Sequence, residues 1–241
     1  LVNSEVCKTL YLCGKEFWQI ESISRYYKER RGDSMVDNYV ITIARGYGSG
    51  GRTIGKMLSE QLGIPYYDRD LLRLASDDSG INEQLFAQAD EKLKKTLLWK
   101  IARKVYKGEL IPPDSDDFVS NDNLFNYQAK IIRELANTQS CIIIGRCADF
   151  ILKDYPNVVK VFVHAPLQEC IKTLKEMTGK PEKELEKEIL RIDKRRAEYY
   201  RYYTGRDWQD AKNYDICLNS AHLGFQKCVD IVKAYMEIRF R

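Results

Sequence analysis

The stretch Tyr39-Val40-Ile41-Thr42-Ile43-Ala44-Arg45-Gly46-Tyr47-Gly48-Ser49-Gly50-Gly51-Arg52-Thr53 decides the fold. Its first seven residues form a β-branched, largely apolar run that ends at glycine, the pattern of a buried strand. Four glycines then fall within residues 46–51, and residues 52–62 continue with helical periodicity. A glycine-rich turn between a strand and a helix suits one task well. Glycines let consecutive N–H groups curl around a phosphate, and the helix N-terminus adds its partial positive charge. The spacing Gly46-x-x-x-x-Gly51-Arg52-Thr53 matches G-x-x-x-x-G-K-[ST], with arginine in the lysine place. On this reading Gly46, Gly48, Ser49, Gly50 and Gly51 cradle donor phosphates, Arg52 is the cation that reaches them, and Thr53 binds Mg²⁺. Arginine keeps the charge but is a planar fork, so the loop speaks more directly for phosphate binding than for fast turnover. A glycine turn with no ligand is the alternative.

Outward from the loop, Gly63 ends the helix and Ile64-Pro-Tyr-Tyr67 begins a second strand. Helical patterns run from Arg69 to about Lys107, and Pro112-Pro113-Asp114-Ser115-Asp116-Asp117 reads as a loop. A helix is expected over residues 123–137, with strands at 140–145 and 158–164. Pro166 opens a helix that Gly179-Lys180-Pro181 breaks; a long charged helix spans residues 182–203, a last strand 214–218 and an amphipathic helix 223–240. Strands separated by helices imply an α/β protein with a doubly wound, mainly parallel sheet.

Composition narrows the partners. The 241 residues carry 39 basic and 35 acidic side chains, a net charge of +4, which is sparser than a nucleic-acid-binding surface needs and suits small anionic ligands. Seven cysteines form no C-x-x-C pair and only two histidines are present, which argues against a zinc site and for reduced thiols used as small core residues. No apolar run approaches the roughly 20 residues that cross a bilayer, and no signal-peptide core is visible, so a cytoplasmic protein without a membrane partner is expected.

Everything that reads as a domain lies after Met35. Arg30-Arg31 can be encoded AGG-AGG, a ribosome-binding purine run about three codons before a start, so residues 1–34 read as a translated leader. Equally open is an N-terminal helix, since Phe17, Ile20, Ile23 and Tyr27 recur at helical spacing.

The loop, Tyr66-Tyr67-Asp68 after it, and Ile144-Gly145-Arg146 together resemble the cytidylate kinase-like branch of the nucleoside monophosphate kinases, over residues 35–241. The resemblance implies a P-loop NTPase-type fold: a doubly wound, five-stranded parallel sheet with a helical acceptor-binding segment (about 68–138) and a lid (about 166–206). It implies transfer of the ATP γ-phosphate to a nucleoside monophosphate with Mg²⁺, small nucleotides being the partners. By the same resemblance Asp68, Arg73 and Arg146 contact the acceptor, and Arg146 grips its phosphate. The family's aspartate after that arginine is Cys147 here, with Asp149 nearby as the replacement. The lid would bring Arg191, Arg195, Glu198 and Arg201, which follow one another at spacings of four, three and three, with Arg195 and Arg201 closing over the transferring group.

Blander readings stand beside these. A Lys/Arg/Glu-rich helix can be a solvated face, Asp68 can cap the following helix, and Tyr199, Tyr200, Tyr202 and Tyr203 read better as packing than as base-stacking residues. Two rivals to the nucleotide kinase are a non-catalytic nucleotide sensor and a kinase of another small acceptor on the same fold.

Overall fold

A computed structural model describes residues 38–86, 109–110, 113, 115 and 119–240. The N-terminal extension, most of the Pro112–Asp117 loop and the helical pattern of residues 87–107 lie outside the described residues. Five strands, β1 (Val40–Arg45), β2 (Tyr66–Tyr67), β3 (Cys141–Ile144), β4 (Val158–His164) and β5 (Ile216–Asn219), form one sheet in the order β2-β3-β1-β4-β5. Every pairing is parallel, and β1 lies at the centre in register with both neighbours, Val40 opposite Cys141 and Val158.

Parallel strands joined by helices are covered on both faces, which is why these runs are apolar at nearly every position. Alternation sorts them. Ile41, Ile43, Ile142, Ile144, Val159, Val161 and Val163 pack on one face with α1 (Gly51–Leu62) and α7 (Ser220–Arg239). Val40, Ala44, Cys141, Ile143, Val158 and Phe162 face the other side. There they meet α2 (Asp70–Ser79), α3 (Asn121–Thr138), the short α4 (Ala148–Ile151) and the end of α6 (Glu182–Thr204).

The differences from the sequence reading are local. β2 shrinks to two residues; the helix after β5 begins at Ser220, not 223, and is broken at Gly224 (φ 73°, ψ 166°). The α4 turn after β3 was not anticipated, since four residues are too few to show a period.

Two helices build a separate small core. α5 (Leu167–Thr178) and the first half of α6 bury Cys170, Ile171, Leu174, Leu185 and Ile189, with Tyr47 of the glycine loop packed against them. The second half of α6 belongs to the main body. Tyr203 stacks on Phe125 of α3 at 3.8 Å between ring centroids and donates to the Asn121 carbonyl at 3.1 Å, while Tyr202 donates to Asp122 at 3.1 Å. The tyrosines therefore pack, as the sequence reading expected.

This stack ties α6 to the body, and its loss should be costly. Phe125 is 1% exposed, so Phe125→Ala should lower stability by about 3–5 kcal/mol in urea unfolding. A loss below about 1 kcal/mol, less than an ordinary core truncation, would mean that the stack does not anchor the helix.

Candidate active site

In parallel α/β sheets ligands gather at the carboxyl ends of the strands. Here the residues leaving β1, β2 and β3 are Arg45, Asp68 and Gly145-Arg146. The glycine loop leaves the central strand and closes on itself. Ser49 Oγ lies 2.9 Å from the Gly46 carbonyl and 3.1 Å from that of Val163, and Ser220 Oγ donates to the Ser49 carbonyl at 2.7 Å. The buried Ser49 hydroxyl thus shapes the loop from inside, leaving only its backbone for a ligand. Gly48 (φ 83°) and Gly50 (φ 79°) take left-handed conformations that side chains resist, and Gly50 caps α1. Thr53 is exposed in the first turn.

Around the loop stand arginines. Arg52 Nε pairs with Asp68 at 2.7 Å, and Arg45 Nη2 reaches the same carboxylate at 3.7 Å. Burial, then the neighbouring Arg196, pushes Arg45 down to about 9, against the pull of Asp68. Arg146 follows β3 in a turn where Gly145, Arg146 and Cys147 all take positive φ (69°, 59° and 53°). Two consecutive non-glycine residues there cost roughly 1–2 kcal/mol each, strain of the kind that collects at functional sites. Burial also lowers the Arg146 pKa, with Tyr199 and Asp68 opposing.

α6 reaches the loop with a different set of residues from those expected. Asp193 accepts from the Tyr47 N–H at 2.8 Å, and Arg196 donates to the Arg45 carbonyl at 2.9 Å and to Asp193 at 3.1 Å. Tyr47 donates to Glu188 at 3.2 Å and lies beneath the Arg196 guanidinium, 5.7 Å from ring centroid to Cζ. Burial raises the Asp193 pKa and lowers that of Arg196, each opposed by the other's charge. Arg191, Glu198 and Arg201 are exposed, and Arg195 is half-buried. The reason is geometric. Ile189, Asp193, Arg196, Tyr200 and Tyr203 follow one another at four, three, four and three, one helical stripe whose apolar members are buried. Residues 191 and 195 lie roughly 200° around the helix from 193. The clue was legible: an acid and a base interrupting an apolar stripe.

Two more of the expected residues have other partners. Arg73 lies on the exposed side of α2, paired with Asp77 at 3.4 Å, because Leu71, Leu72 and Ala75 claim the inner face. Asp149 is buried, and Tyr200 of α6 donates to it at 2.6 Å, so it anchors the helix and does not line the site. Burial raises its pKa from 3.8 to about 6, with Tyr200 opposing the shift.

A left-handed glycine loop on the central parallel strand, ringed by arginines from β1, α1, the turn after β3 and α6, defines a phosphate-loop α/β protein of the kinase-like class. The family model described as "Cytidylate kinase-like family" matches residues 40–222, and the chain belongs to that family. Among its relatives, a cytidylate kinase of Methanosarcina acetivorans is 30% identical over 108 residues, 44% of this chain and 59% of the relative's length. A cytidylate kinase of Methanosarcina barkeri is 27% identical over 82% of this chain and 96% of its own. The crystal structure of an uncharacterized protein from Eubacterium ventriosum matches with a TM-score of 0.60 and 26% identity, over 83% of this chain and 99% of the other.

The Asp149–Tyr200 pair carries a pH signature. With its folded pKa raised from 3.8 to about 6, Asp149 contributes stability that is fully present below pH 4 and lost as pH rises to about 6. At about 1.4 kcal/mol per pH unit this amounts to about 3 kcal/mol. Asp149→Asn can still accept from Tyr200 but cannot ionise. The wild type should therefore lose about that much relative to the variant between pH 4 and pH 6.5. A stability gap that does not change with pH would show the carboxyl is not perturbed.

Proposed function

We propose that the protein is an ATP-dependent phosphotransferase that moves the γ-phosphate of ATP to a nucleoside monophosphate of the CMP or dCMP type. The observation that carries this reading is the convergence of Arg45, Arg52, Arg146 and Arg196 on the mouth of a glycine loop. Among the described residues Arg45, Arg52 and Arg196 share just two carboxylates, Asp68 and Asp193. Guanidiniums gathered in such number, Arg45 and Arg196 among them largely buried, call for an anion of more than one charge. The family membership and the relatives named cytidylate kinase favour a nucleotide acceptor.

The protein's part in such a reaction is positioning and charge. The loop amides and the α1 N-terminus hold the donor phosphates, and Arg146, projecting from the strained turn, holds the acceptor phosphate. An acceptor oxygen bonds to the γ-phosphorus as the bond to the β,γ-bridging oxygen breaks, the guanidiniums holding the charge on the phosphoryl oxygens. Mg²⁺, when bound, neutralises donor charge; Thr53, exposed at the start of α1, is the side chain to hold it. Among the described residues no group of three or more His, Cys, Asp or Glu forms a metal site, which fits an ion carried mainly by the nucleotide. A cavity of about 240 Å³ beside the loop, lined by Gly48, Ala165, Glu169, Thr173, Ser220 and Phe225, would receive the donor base. No helix among the described residues is long and apolar enough to cross a membrane, and the cytoplasm is the proposed compartment.

A coupled ADP-release assay with MgATP across nucleoside monophosphates and small hydroxyl acceptors tests the reading. Turnover with CMP or dCMP above all other acceptors is expected; turnover only with a non-nucleotide would move the protein to another acceptor class, and none, with ATP bound, to a sensor. Arg146→Lys keeps the charge but loses the fork, so the acceptor KM should rise while ATP affinity holds. Arg146→Ala should cost about 2–4 kcal/mol of transition-state stabilisation. Intact turnover with only a lowered Tm would make Arg146 a structural residue.

A further inference from the structure

The cation of a phosphate loop normally sits directly after its last glycine, where the helix opens. By sequence spacing that residue is Arg52. Gly50 caps α1, so Gly51 and Arg52 form its first turn, and only Arg52 of the two carries a side chain. Arg52 is half exposed, and its Nε is committed to Asp68 at 2.7 Å.

The space that a side chain at position 51 would enter is filled by Arg45. A Cβ added to Gly51 would come within 2.5 Å of the Arg45 Cβ and 2.9 Å of its Cγ. Further along, a Cβ on Gly145 would collide with Arg45 Nη1. The Arg45 side chain thus passes between two positions kept bare, from beneath the start of α1 toward the turn that carries Arg146. The side chain is 13% exposed, its Nε finds no hydrogen-bond partner among the described residues, and the carboxylate near it, Asp68 at 3.7 Å, is already gripped more closely by Arg52. A buried guanidinium with a spare donor and a share of one carboxylate is short of an anion. Its lowered pKa agrees: burial costs it more than its neighbours return.

We propose that Arg45, rather than Arg52, is the cation this loop turns on the donor phosphates, so that the end of β1 supplies the charge that a lysine at the start of the helix supplies elsewhere. The proposal rests on the phosphotransferase reading. In it Arg52 is a positioning residue that holds Asp68, and Arg196, bound to the Arg45 carbonyl, fixes the backbone from which the cation projects.

Calorimetric titration of the whole chain with MgATP, alongside single-turnover phosphoryl transfer, decides it. Arg45→Met should weaken ATP binding about 10- to 100-fold, the scale of a lost charged hydrogen bond, and at least about 5-fold more than Arg52→Met does. The sharper test relocates the charge. Gly51→Lys alone should bind ATP poorly, because the new side chain meets Arg45. Arg45→Gly combined with Gly51→Lys should bind ATP at least about 10-fold better than Arg45→Gly alone. The relocation also serves if Arg45→Met does not fold, since the double variant restores a filled space and a charge. If Arg52→Met loses ATP while Arg45→Met keeps it, or if the relocated lysine recovers nothing, Arg45 is not the loop cation and the phosphotransferase reading stands. If the wild-type protein binds no ATP at millimolar concentration, that reading fails and this proposal with it.

Discussion

A guanidinium buried at the carboxyl end of the central strand is the constraint that the rest of the site accommodates. Arg45 is the last residue of β1 and its side chain is largely buried, and a charge there is costly unless its surroundings answer it. The answers come from every side: Asp68 at the end of β2, bare glycines at 51 and 145, and Arg196 clamping the Arg45 carbonyl. Shortness of β2 matters here. With two residues in the ladder, the chain turns at Asp68 early enough to set its carboxylate between Arg45 and Arg52.

The long helix α6 joins two environments. Its first half shares a small core with α5 and touches the glycine loop through Glu188, Asp193 and Arg196; its second half is fixed to the body by Tyr200 on Asp149 and Tyr203 on Phe125. One helix therefore connects the Tyr47 amide of the loop to the main core. Asp193 accepts from the Tyr47 N–H, a place where a loop of this kind would offer a donor to a phosphate oxygen. A carboxylate there is an anion on an anion-binding backbone, which explains why it tolerates burial, aided by Arg196.

The turn after β3 shows how strain is placed. Three successive residues with positive φ turn the chain at the end of β3, setting Arg146 where it feels the charges of Asp68 and Arg52 and tucking Cys147 into the core, 3% exposed. Cys147 stands where a family aspartate is expected, and burial drives its thiol well above the ordinary range, so it is a packing residue here. The acid that sequence offered as a replacement, Asp149, is turned the other way by α4 and serves α6 instead.

What the sequence determined by itself was whatever depends on neighbours along the chain. Apolar runs, glycine positions and helix caps are local, so the five strands, the loop at residues 46–53 and the parallel α/β class were legible, as was the position of Arg146 after β3. What only the tertiary structure decided depends on which way a side chain leaves its element. Asp193 and Arg196 displaced Arg191, Arg195, Glu198 and Arg201 because the buried stripe of α6, set by Ile189, Tyr200 and Tyr203, fixes its rotation. Arg73 was lost to the surface because three apolar neighbours own the inner face of α2. The place of Arg45 beside Gly51 was invisible for the same reason. Spacing counts residues along the chain, whereas the left-handed cap at Gly50 and the contact between β1 and α1 exist only once the strand, the turn and the helix have packed.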